Sequence, residues 1–172
     1  MLNREEIAKL IKKDKLVEGY IDLEIQLTPN GLDLTVANIY EFDTKGELDF
    51  SNKERVIPVG KEILPRKEKQ EDKFGWWDLE AGCYKVKTNE TVNLAKNLTA
   101  ICFSRTSLLR MGAFTQHGVW DAGFKGRGEF ILVVGNLKGL RIKQNARVAQ
   151  LVFLSIQETL RGYDGIYQER GR

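Results

Sequence analysis

Residues 32–40 read LDLTVANIY, and this near alternation of apolar and polar side chains is typical of a β-strand that turns one face to a core. Six more segments are similarly short and rich in β-branched or aromatic residues: 20–27, 55–59, 82–87, 99–103, 129–135 and 147–156. Residues that favour turns separate them, as in PNG at 29–31 and NLKG at 136–139. Many short strands with turns between them predict an all-β fold, either a sandwich or a barrel.

The chain begins with a different pattern, because residues 1–17 form an amphipathic segment with a helix predicted over residues 3–17. Asn3 has the side chain of a helix N-cap, and Glu6 stands three residues later as the partner of a capping box. One apolar stripe runs along the helix and is formed by Ile7, Leu10 and Ile11. The fold class is therefore all-β with a short N-terminal helix.

A length of 172 residues suits one domain, because domains commonly contain roughly 150 residues, so residues 1–172 are expected to form a single unit. Apolar residues make up 42% of the chain and charged residues 30%, which excludes disorder of the whole chain. The charge run PRKEKQEDK at 65–73 predicts a solvated loop. The polar tail RGYDGIYQERGR at 161–172, taken alone, would be a frayed terminus.

Composition also limits where the protein acts and what it binds. No apolar run approaches the ~18 residues of a membrane helix, and the charged N-terminus lacks the apolar core of a signal peptide. We therefore expect a cytoplasmic protein with no membrane partner. The net charge of +3 comes from 27 basic and 24 acidic residues spread along the chain. Nucleic-acid binding usually needs clustered lysine and arginine, so we expect no nucleic acid partner.

Several enzyme chemistries are excluded by what the sequence lacks. A zinc site needs three or four ligands, yet the chain has one histidine, His117, and two cysteines, Cys83 and Cys102, in apolar settings. Two such cysteines do not make a disulfide framework. A serine hydrolase would have to use His117, and no serine lies in a G-x-S-x-G pattern.

Two segments carry residues suited to a nucleotide. SRTSLLRMG at 104–112 has two arginines and three hydroxyl groups, which suit phosphate oxygens, although an ordinary surface turn has the same composition. TQHGVWDAGFKGRG at 115–128 contains Gly118 and other glycines, which permit close backbone approach. Asp121 lies between Trp120 and Gly123, where partial burial is expected to aim its carboxylate at a water; the commoner role of such an aspartate is to stabilise a turn.

A third segment, TPNGLDLT at 28–35, places Asp33 between two leucines of the predicted strand. An aspartate inside an apolar strand is unusual. Its ordinary explanation is a carboxylate that caps or hydrogen-bonds a turn.

Five stretches, taken in order, resemble the motifs of the dUTPase and dCTP deaminase superfamily over nearly the whole chain. They are LTPNGLDLTV at 27–36, SRTSLLRMG at 104–112, HGVWDAGFKG at 117–126, NARVAQLVF at 145–153 and YDGIYQ at 163–168. The second is close to the R-S-S-L-x-R-x-G of the deaminase branch. The fifth is similar to the short Y-x-G-x-Y-Q form of deaminases and archaeal dUTPases. Five matches in the right order make the resemblance specific.

The resemblance implies a distorted β-barrel of the β-clip type. It also implies a homotrimer, or a closely related oligomer, with active sites at the subunit interfaces. The tail 161–172 would fold over a triphosphate. Mg²⁺ would be the cofactor, and Asp33 would act on the ion indirectly, through water. The substrate would be dUTP, or dCTP in the deaminase branch.

By motif, the resemblance implies a role for each candidate site residue. The phosphate-binding residues would be Arg105, Thr106, Ser107, Arg110 and Gln150, with Thr106 in place of the usual serine. Tyr163 and Gln168 would close over the triphosphate.

The third motif would hold the nucleoside. Asp121 would contact the 3′-hydroxyl group of the deoxyribose or orient the attacking water, and Phe124 would stack on the sugar and exclude a 2′-hydroxyl group. Gly118 would let the backbone approach the ligand. The backbone from Glu129 to Ile131 would read the edge of the base.

The choice of reaction depends on one position. Members of the family either hydrolyse dUTP to dUMP and pyrophosphate or deaminate dCTP with a glutamate ten residues after the motif aspartate. This chain has Ile131 there, and isoleucine cannot transfer a proton, so the spacing favours dUTP hydrolysis. Glu129 would serve only if a bulge at Gly128 shifted the strand register. A nucleotide-binding regulator without turnover is a further alternative, against which the retained Asp121 argues.

Overall fold

The computed structural model describes residues 1–169, and most of the regular structure is β-sheet. The helices are α1 (Arg4–Asp14), α2 (Leu23–Gln26) and α3 (Thr106–Arg110). The strands are β1 (Val17–Glu18), β2 (Leu27–Thr28), β3 (Gly31–Glu41), β4 (Lys61–Ile63), β5 (Trp76–Leu79), β6 (Gly82–Asn93), β7 (Leu98–Ser104), β8 (Ala113–Gln116), β9 (Lys125–Val134), β10 (Leu140–Lys143) and β11 (Arg147–Ser155). Among the described residues, no helix has the length and apolar content needed to cross a membrane.

Nine strands form one antiparallel sheet, whose main path runs β7–β11–β3–β6–β9–β8. Outside that path β1 pairs with β6, and both β2 and β4 pair with β3. The two ends of the path meet, because the Ser104 hydroxyl accepts the Thr115 N–H at 2.7 Å and donates to the Thr115 carbonyl at 2.9 Å. The sheet is therefore almost closed on itself, and the prediction of an all-β barrel is confirmed.

The N-terminal helix is confirmed, with an end earlier than predicted. Glu6 N–H donates to the Asn3 side chain at 2.9 Å, and Asn3 N–H donates to the Glu6 carboxylate at 2.9 Å, which completes the capping box. The helix ends at Asp14, where Lys15 adopts a left-handed conformation with φ 53°. It stops there because the next residues are buried against the sheet, where Val17 pairs with Val92.

Five of the predicted strands are confirmed. The predicted bounds agree to within one residue at each end for 32–40 in β3, 99–103 in β7 and 147–156 in β11. The predictions 82–87 and 129–135 are too short, because β6 continues to Asn93 and β9 begins at Lys125. The prediction is wrong for 20–27, because Asp22 accepts the Ile25 N–H at 3.1 Å and starts the short helix α2. It is also wrong for 55–59, where Val56 makes only an isolated bridge to Glu47. The charged loop 65–73 is largely exposed, as predicted.

The period-two pattern of the sequence did not predict β5 and β10, which form a separate two-stranded sheet. Trp77 of β5 is buried, and its indole N–H donates to the Ile63 carbonyl at 2.6 Å. The small sheet therefore covers the β4 edge of the barrel. Its strands are four residues each, too short for a period-two pattern to stand out.

The pairing of β6 with β9 is interrupted in one place. Lys87 pairs with Glu129 and Thr91 pairs with Arg127, so β6 has two more residues in this interval than β9. The Arg127 Nε donates to the Thr88 carbonyl at 2.7 Å and fills the gap. Extra residues on one strand of a pair form a β-bulge. A β-bulge bends the strand that carries it, which here is β6.

Glu90 is fully buried behind this interruption. Its carboxylate accepts the Thr35 N–H at 3.0 Å and the Gln26 amide at 2.7 Å, and the Thr35 hydroxyl also donates to it. Burial raises the pKa of Glu90 above its usual range, and the hydrogen bonds from Thr35 and Gln26 act against that rise. The Glu90 carboxylate thus accepts the Thr35 N–H in place of a backbone carbonyl where the pairing of β3 with β6 is interrupted.

We expect Glu90→Ala to lower the free energy of unfolding by about 3 kcal/mol, because three buried donors lose their acceptor at once. Urea titration followed by fluorescence measures the change. Glu90→Gln keeps one acceptor oxygen and is expected to lose less. If Glu90→Ala loses under about 1 kcal/mol, the three donors have found other partners and the buried carboxylate is not a structural support.

Candidate active site

A cavity of about 540 Å³ lies beside β9, the turn before it and the C-terminal tail. Six of the residues predicted from sequence line it: Gly118, Asp121, Phe124, Glu129, Ile131 and Tyr163. The structure therefore brings the five predicted nucleoside-binding residues together in one place, with Tyr163, a residue predicted to close over the triphosphate, beside them. Apolar and aromatic walls with a few polar groups are typical of small-molecule sites.

Asp121 lies in the turn between β8 and β9. Trp120 bridges Ala100, and the Phe124 N–H donates to the Asp121 carbonyl at 3.1 Å, so both ends of the turn are fixed. The Asp121 carboxylate is exposed and has no hydrogen bond or ion pair with any residue that the structure describes. The prediction that Asp121 is partly buried is wrong for the single chain, because the neighbouring Trp120 side chain occupies the buried position. The carboxylate remains available to a ligand or a water.

Trp120 packs directly over Gly128 of β9, and this contact sets the position of the turn. A Cβ atom at residue 128 would lie 2.6 Å from the indole Cη2, so only glycine allows the approach. Phe124 meets Trp120 edge-on at 5.3 Å between ring centroids, and Tyr163 meets Phe124 at 5.6 Å. The three rings form a row that ends at the tail.

Residues 161–169 of the tail fold back onto the same turn, and residues 170–172 lie outside the described part. The Tyr163 N–H donates to the Ala122 carbonyl at 2.8 Å. The Gln168 amide accepts the Lys125 N–H at 2.9 Å and donates to the Gly123 carbonyl at 3.0 Å. Gln168 thus anchors the tail to the backbone beside Phe124, a contact that the sequence did not indicate.

The far wall of the cavity is formed by β9, in which buried and less buried residues alternate without a break from Lys125 to Val134. Glu129 and Ile131 therefore lie on the same face, and both line the cavity. The extra residues at the interruption belong to β6 and not to β9, so Glu129 is not shifted into the place of Ile131. Ile131 lies on this wall ten residues after Asp121, the spacing at which the resemblance implies a glutamate in the deaminase branch.

The predicted phosphate-binding residues form a second group around Asp33, whose relative exposure is 2%. Its carboxylate pairs with Arg105 Nε at 2.9 Å and with Arg147 Nη1 at 3.1 Å. Burial raises the pKa of Asp33, and the two guanidinium groups act against that rise. We regard Asp33 as ionised, because two cations contact one carboxylate and hold it in place.

The other predicted phosphate ligands surround this ion-pair cluster. Thr106, Ser107 and Arg110 are exposed on α3, which directly follows Arg105. The Gln150 amide on β11 donates to the Thr28 hydroxyl at 2.6 Å. None of these residues lines the cavity, so one chain holds the two predicted groups on separate surfaces.

An apolar groove of about 430 Å³ runs between the two groups. Its exposed apolar side chains are Ile101, Phe103, Leu109, Phe114 and Val119. His117, Gly118 and Val119 line both the groove and the cavity, so the two depressions share a wall. Apolar side chains exposed together in this way mark an interaction surface.

Sequence reasoning missed several residues of the cavity. Lys85 and Arg127 reach it from β6 and β9, and Phe42 and Ile57 reach it from the segment between β3 and β4. Arg127 could have been found, because it shares the period-two face of Glu129 and Ile131. The other three come from distant parts of the chain, and no local pattern connects them to the turn at Asp121.

The described residues contain no cluster of three or more histidine, cysteine, aspartate or glutamate side chains that could hold a metal ion. The Asp33 carboxylate is paired with two guanidinium groups. Residues 1–169 thus do not offer a direct set of metal ligands. An ion that brings most of its ligands with it, as Mg²⁺ does with phosphates and waters, is compatible with the site.

Comparison with known proteins gives matches over nearly the whole chain. A family model described as dCTP deaminase-like matches residues 1–156. A Methanosarcina barkeri protein named probable deoxyuridine 5′-triphosphate nucleotidohydrolase is 44% identical over 170 residues, 98% of this chain and 96% of that protein. A Methanocaldococcus jannaschii protein named deoxyuridine 5′-triphosphate nucleotidohydrolase is 35% identical over 147 residues, 86% of this chain and 90% of that protein.

The fold is also similar to a solved structure, that of a 2′-deoxycytidine 5′-triphosphate deaminase from Agrobacterium tumefaciens. The TM-score is 0.63 at 19% sequence identity, and the match covers 88% of this chain and 46% of that one. At this identity the likeness shows the shared fold alone.

Gly128→Ala is expected to destabilise the protein by about 1–3 kcal/mol, because its Cβ atom would collide with the Trp120 indole. Gly118→Ala is the matched control, since a Cβ atom there would have nothing within 4 Å. Thermal unfolding of the two variants and the parent protein measures the difference. Equal melting temperatures for both variants would mean that Trp120 moves freely and does not set the turn.

Proposed function

The chain belongs to the dCTP deaminase-like family, and from this premise we propose that it is an enzyme that hydrolyses dUTP to dUMP and pyrophosphate. The observation that carries the choice of reaction is the cavity wall at Ile131, where an unbroken β9 presents a side chain that cannot move a proton. The relatives named deoxyuridine 5′-triphosphate nucleotidohydrolase support the same reaction.

The cavity would take the nucleoside. Phe124 would pack against the deoxyribose, because its ring lies in the wall between Trp120 and Tyr163. An aromatic face under the sugar leaves no room for a 2′-hydroxyl group, which would select deoxynucleotides. Asp121, exposed at the same wall and without a protein partner, would orient the water that attacks the α-phosphorus.

The triphosphate would bind at the ion-pair cluster. Arg105 is held by Asp33, and Arg147 is held by the same carboxylate, so one negative and two positive charges leave a net positive site. The exposed Thr106, Ser107 and Arg110 would add hydrogen bonds to phosphate oxygens. Gln150 would join them from β11, once its amide turns from Thr28.

The residues proposed to bind the nucleoside and the cluster proposed to bind the triphosphate lie on separate surfaces of one chain. This separation points to a site that a second copy completes. The apolar groove between them supplies the interface, since it borders the cavity and begins beside Arg105. We propose that a neighbouring copy places its Arg105 segment over this cavity and that the assembly is a closed homotrimer. Closed rings arise from such head-to-tail contacts when the rotation between copies completes a circle.

Mg²⁺ would enter with the triphosphate, whose oxygens and waters would be its ligands. Asp33 would contact only the water shell of the ion, because its carboxylate is paired with Arg105 and Arg147. When bound, the ion would neutralise charge on the departing pyrophosphate. The residues of the chain bind, orient and shield the substrate.

One observation favours deamination of dCTP as a second candidate. Glu129 lines the cavity on the same face as Ile131, about 6–7 Å away along the strand. If the pyrimidine base of dCTP bound closer to Glu129 than to Ile131, the Glu129 carboxylate could transfer the proton that deamination needs.

The central test is release of pyrophosphate from dUTP with Mg²⁺, and of ammonia from dCTP. We expect pyrophosphate from the parent protein, none from Asp121→Asn, and dUTP binding by that variant within about tenfold of the parent. Glu129→Gln is expected to keep hydrolysis, because the α-phosphorus is several bonds from the base. Ammonia release that Glu129→Gln abolishes would establish the deaminase instead.

A mixing experiment tests the shared site. Asp121→Asn and Arg105→Ala are expected to be inactive alone, yet unfolding and refolding them together at equal amounts should restore about a quarter of the parent rate. The reason is that a site between two copies needs Asp121 from one and Arg105 from the other, and random assembly supplies both in about one quarter of sites. If the mixture stays inactive, both residues act within one chain.

A further inference from the structure

We infer that Lys85 is a positioning residue for the substrate, because its ammonium group holds residues 42–60, the segment between β3 and β4, as one wall of the cavity. The inference rests on the function proposed above, in which this cavity takes the nucleoside of dUTP. It adds a residue and a segment that none of the five sequence motifs contains.

Lys85 lies next to the part of β9 that is proposed to read the base. It stands on β6 directly opposite Tyr40 of β3 on one side and Ile131 of β9 on the other. Residues directly opposite each other in antiparallel strands have their side chains on the same face of the sheet. Ile131 and Lys85 accordingly both line the cavity.

The ammonium group of Lys85 is directed to the 42–60 segment. Nζ donates to the Val59 carbonyl, and it donates to the Pro58 carbonyl at 3.4 Å. It also lies 4.9 Å from the centroid of the Tyr40 ring, which is within the range of a cation–π contact. Because these partners engage the charged group, we assign it to the segment and not to a phosphate of the substrate.

The contact with Lys85 takes the place of strand pairing in this segment. The sequence RVIPV at 55–59 predicts a strand, but Pro58 has no N–H with which to donate in a ladder. The carbonyls of Pro58 and Val59 accept from the Lys85 side chain instead. Held in this way, the segment contributes Ile57 and Phe42 to the lining of the cavity.

The rest of the segment is attached to the barrel at its stem. Glu41 pairs with Lys61 at the end of the β3–β4 ladder, and beyond this pair the chain leaves the sheet. A bridge between Glu47 and Val56 holds the segment together, but it does not attach the segment to the barrel. The Lys85 ammonium group therefore joins the segment to the face of β6 that borders the cavity.

The same segment also approaches the C-terminal tail. The Arg55 guanidinium group lies 5.9 Å from the centroid of the Tyr167 ring, and Tyr167 lines the cavity. The 42–60 segment and the tail thus form adjoining parts of one wall. Lys85 holds the first part from β6, and Gln168 anchors the second part to the backbone of the Asp121 turn.

A wall that is held in place strengthens binding of the substrate. When a binding site is complete in only a fraction of the molecules, the apparent affinity falls by that fraction. Without the hydrogen bonds from Lys85, the segment would border the cavity in fewer molecules, so the KM would rise. Reaction at the α-phosphorus takes place away from this wall, so kcat would change little.

We expect Lys85→Met to raise the KM for dUTP and the dissociation constant of α,β-imido-dUTP about five- to tenfold, with kcat within about twofold of the parent. Lys85→Arg keeps charged N–H donors and is expected to retain most of the affinity. Lys87→Met is the matched control, because Lys87 lies on the same face of β6, outside the cavity, and the substitution removes the same charge.

Two results of this comparison would overturn the inference. An equal rise of KM in Lys85→Met and Lys87→Met would mean that the loss of one positive charge explains the effect. A fall of kcat in Lys85→Met at an unchanged KM would place Lys85 in the chemical step and not in the wall.

A double-mutant cycle separates an action through the segment from a direct contact with the substrate. Ile57→Ala alone is expected to weaken binding of α,β-imido-dUTP about threefold, because an apolar contact of the wall is lost. In Lys85→Met the same substitution should have little further effect, since the wall is already displaced. If the two effects multiply, Lys85 acts independently of the segment and the inference is wrong.

Limited proteolysis tests the wall in the parent protein, and it decides the question if thermal unfolding shows that Lys85→Met has lost its fold. Trypsin cleaves after Arg55 in the segment and after Lys138, an exposed residue outside the cavity. We expect saturating α,β-imido-dUTP to slow cleavage after Arg55 about fivefold more than cleavage after Lys138. An equal effect on the two bonds overturns the inference.

These measurements separate failure of the inference from failure of the proposed function, because analogue binding and proteolysis do not require turnover. Protection of the bond after Arg55 without pyrophosphate release from dUTP would refute hydrolysis and keep the wall. Pyrophosphate release with equal cleavage of the two bonds would refute the wall alone.

Discussion

A single buried carboxylate, that of Glu90, joins the parts of the barrel on which both halves of the candidate site depend. It accepts hydrogen bonds from Thr35 and from Gln26, and the Gln26 amide also donates to the Asp33 carbonyl at 2.9 Å. Glu90 lies in the part of β6 that has two extra residues opposite Gly128. One side chain thus supports the strand that carries Asp33 and the place where Trp120 packs over β9.

The two halves of the site use different physical interactions, and this explains why they are separate. The Asp33 cluster is a buried carboxylate between Arg105 and Arg147, a net positive arrangement suited to a polyanion. The cavity beside Asp121 is lined mainly by aromatic and apolar groups, which suit a base and a sugar. A cluster of positive charge inside an apolar cavity would have to be desolvated, which favours its position outside the cavity on a single chain.

Ile131 connects the strand register of β9 with the proposed reaction. It lines the cavity where β8 and β9 pair, with Gln116 opposite Ile131. Glu129 and Ile131 share one face of β9 and Phe130 lies on the other, so a register shift of one residue would exchange the two faces. The catalytic identity of the protein thus depends on strand register as much as on the residues of the Asp121 turn.

The sequence by itself determined the features that near neighbours set. Period-two segments predicted β3, β6, β7, β9 and β11, and the Asn3–Glu6 spacing predicted the capping box, because each pattern involves residues a few positions apart. Tertiary structure alone decided that Asp121 is exposed, that Asp33 pairs with Arg105 and Arg147, and that Asp121 and Arg105 lie on separate surfaces. These facts depend on which strands pair and which side chain occupies each buried place, and such contacts join residues far apart in the chain that no local pattern relates.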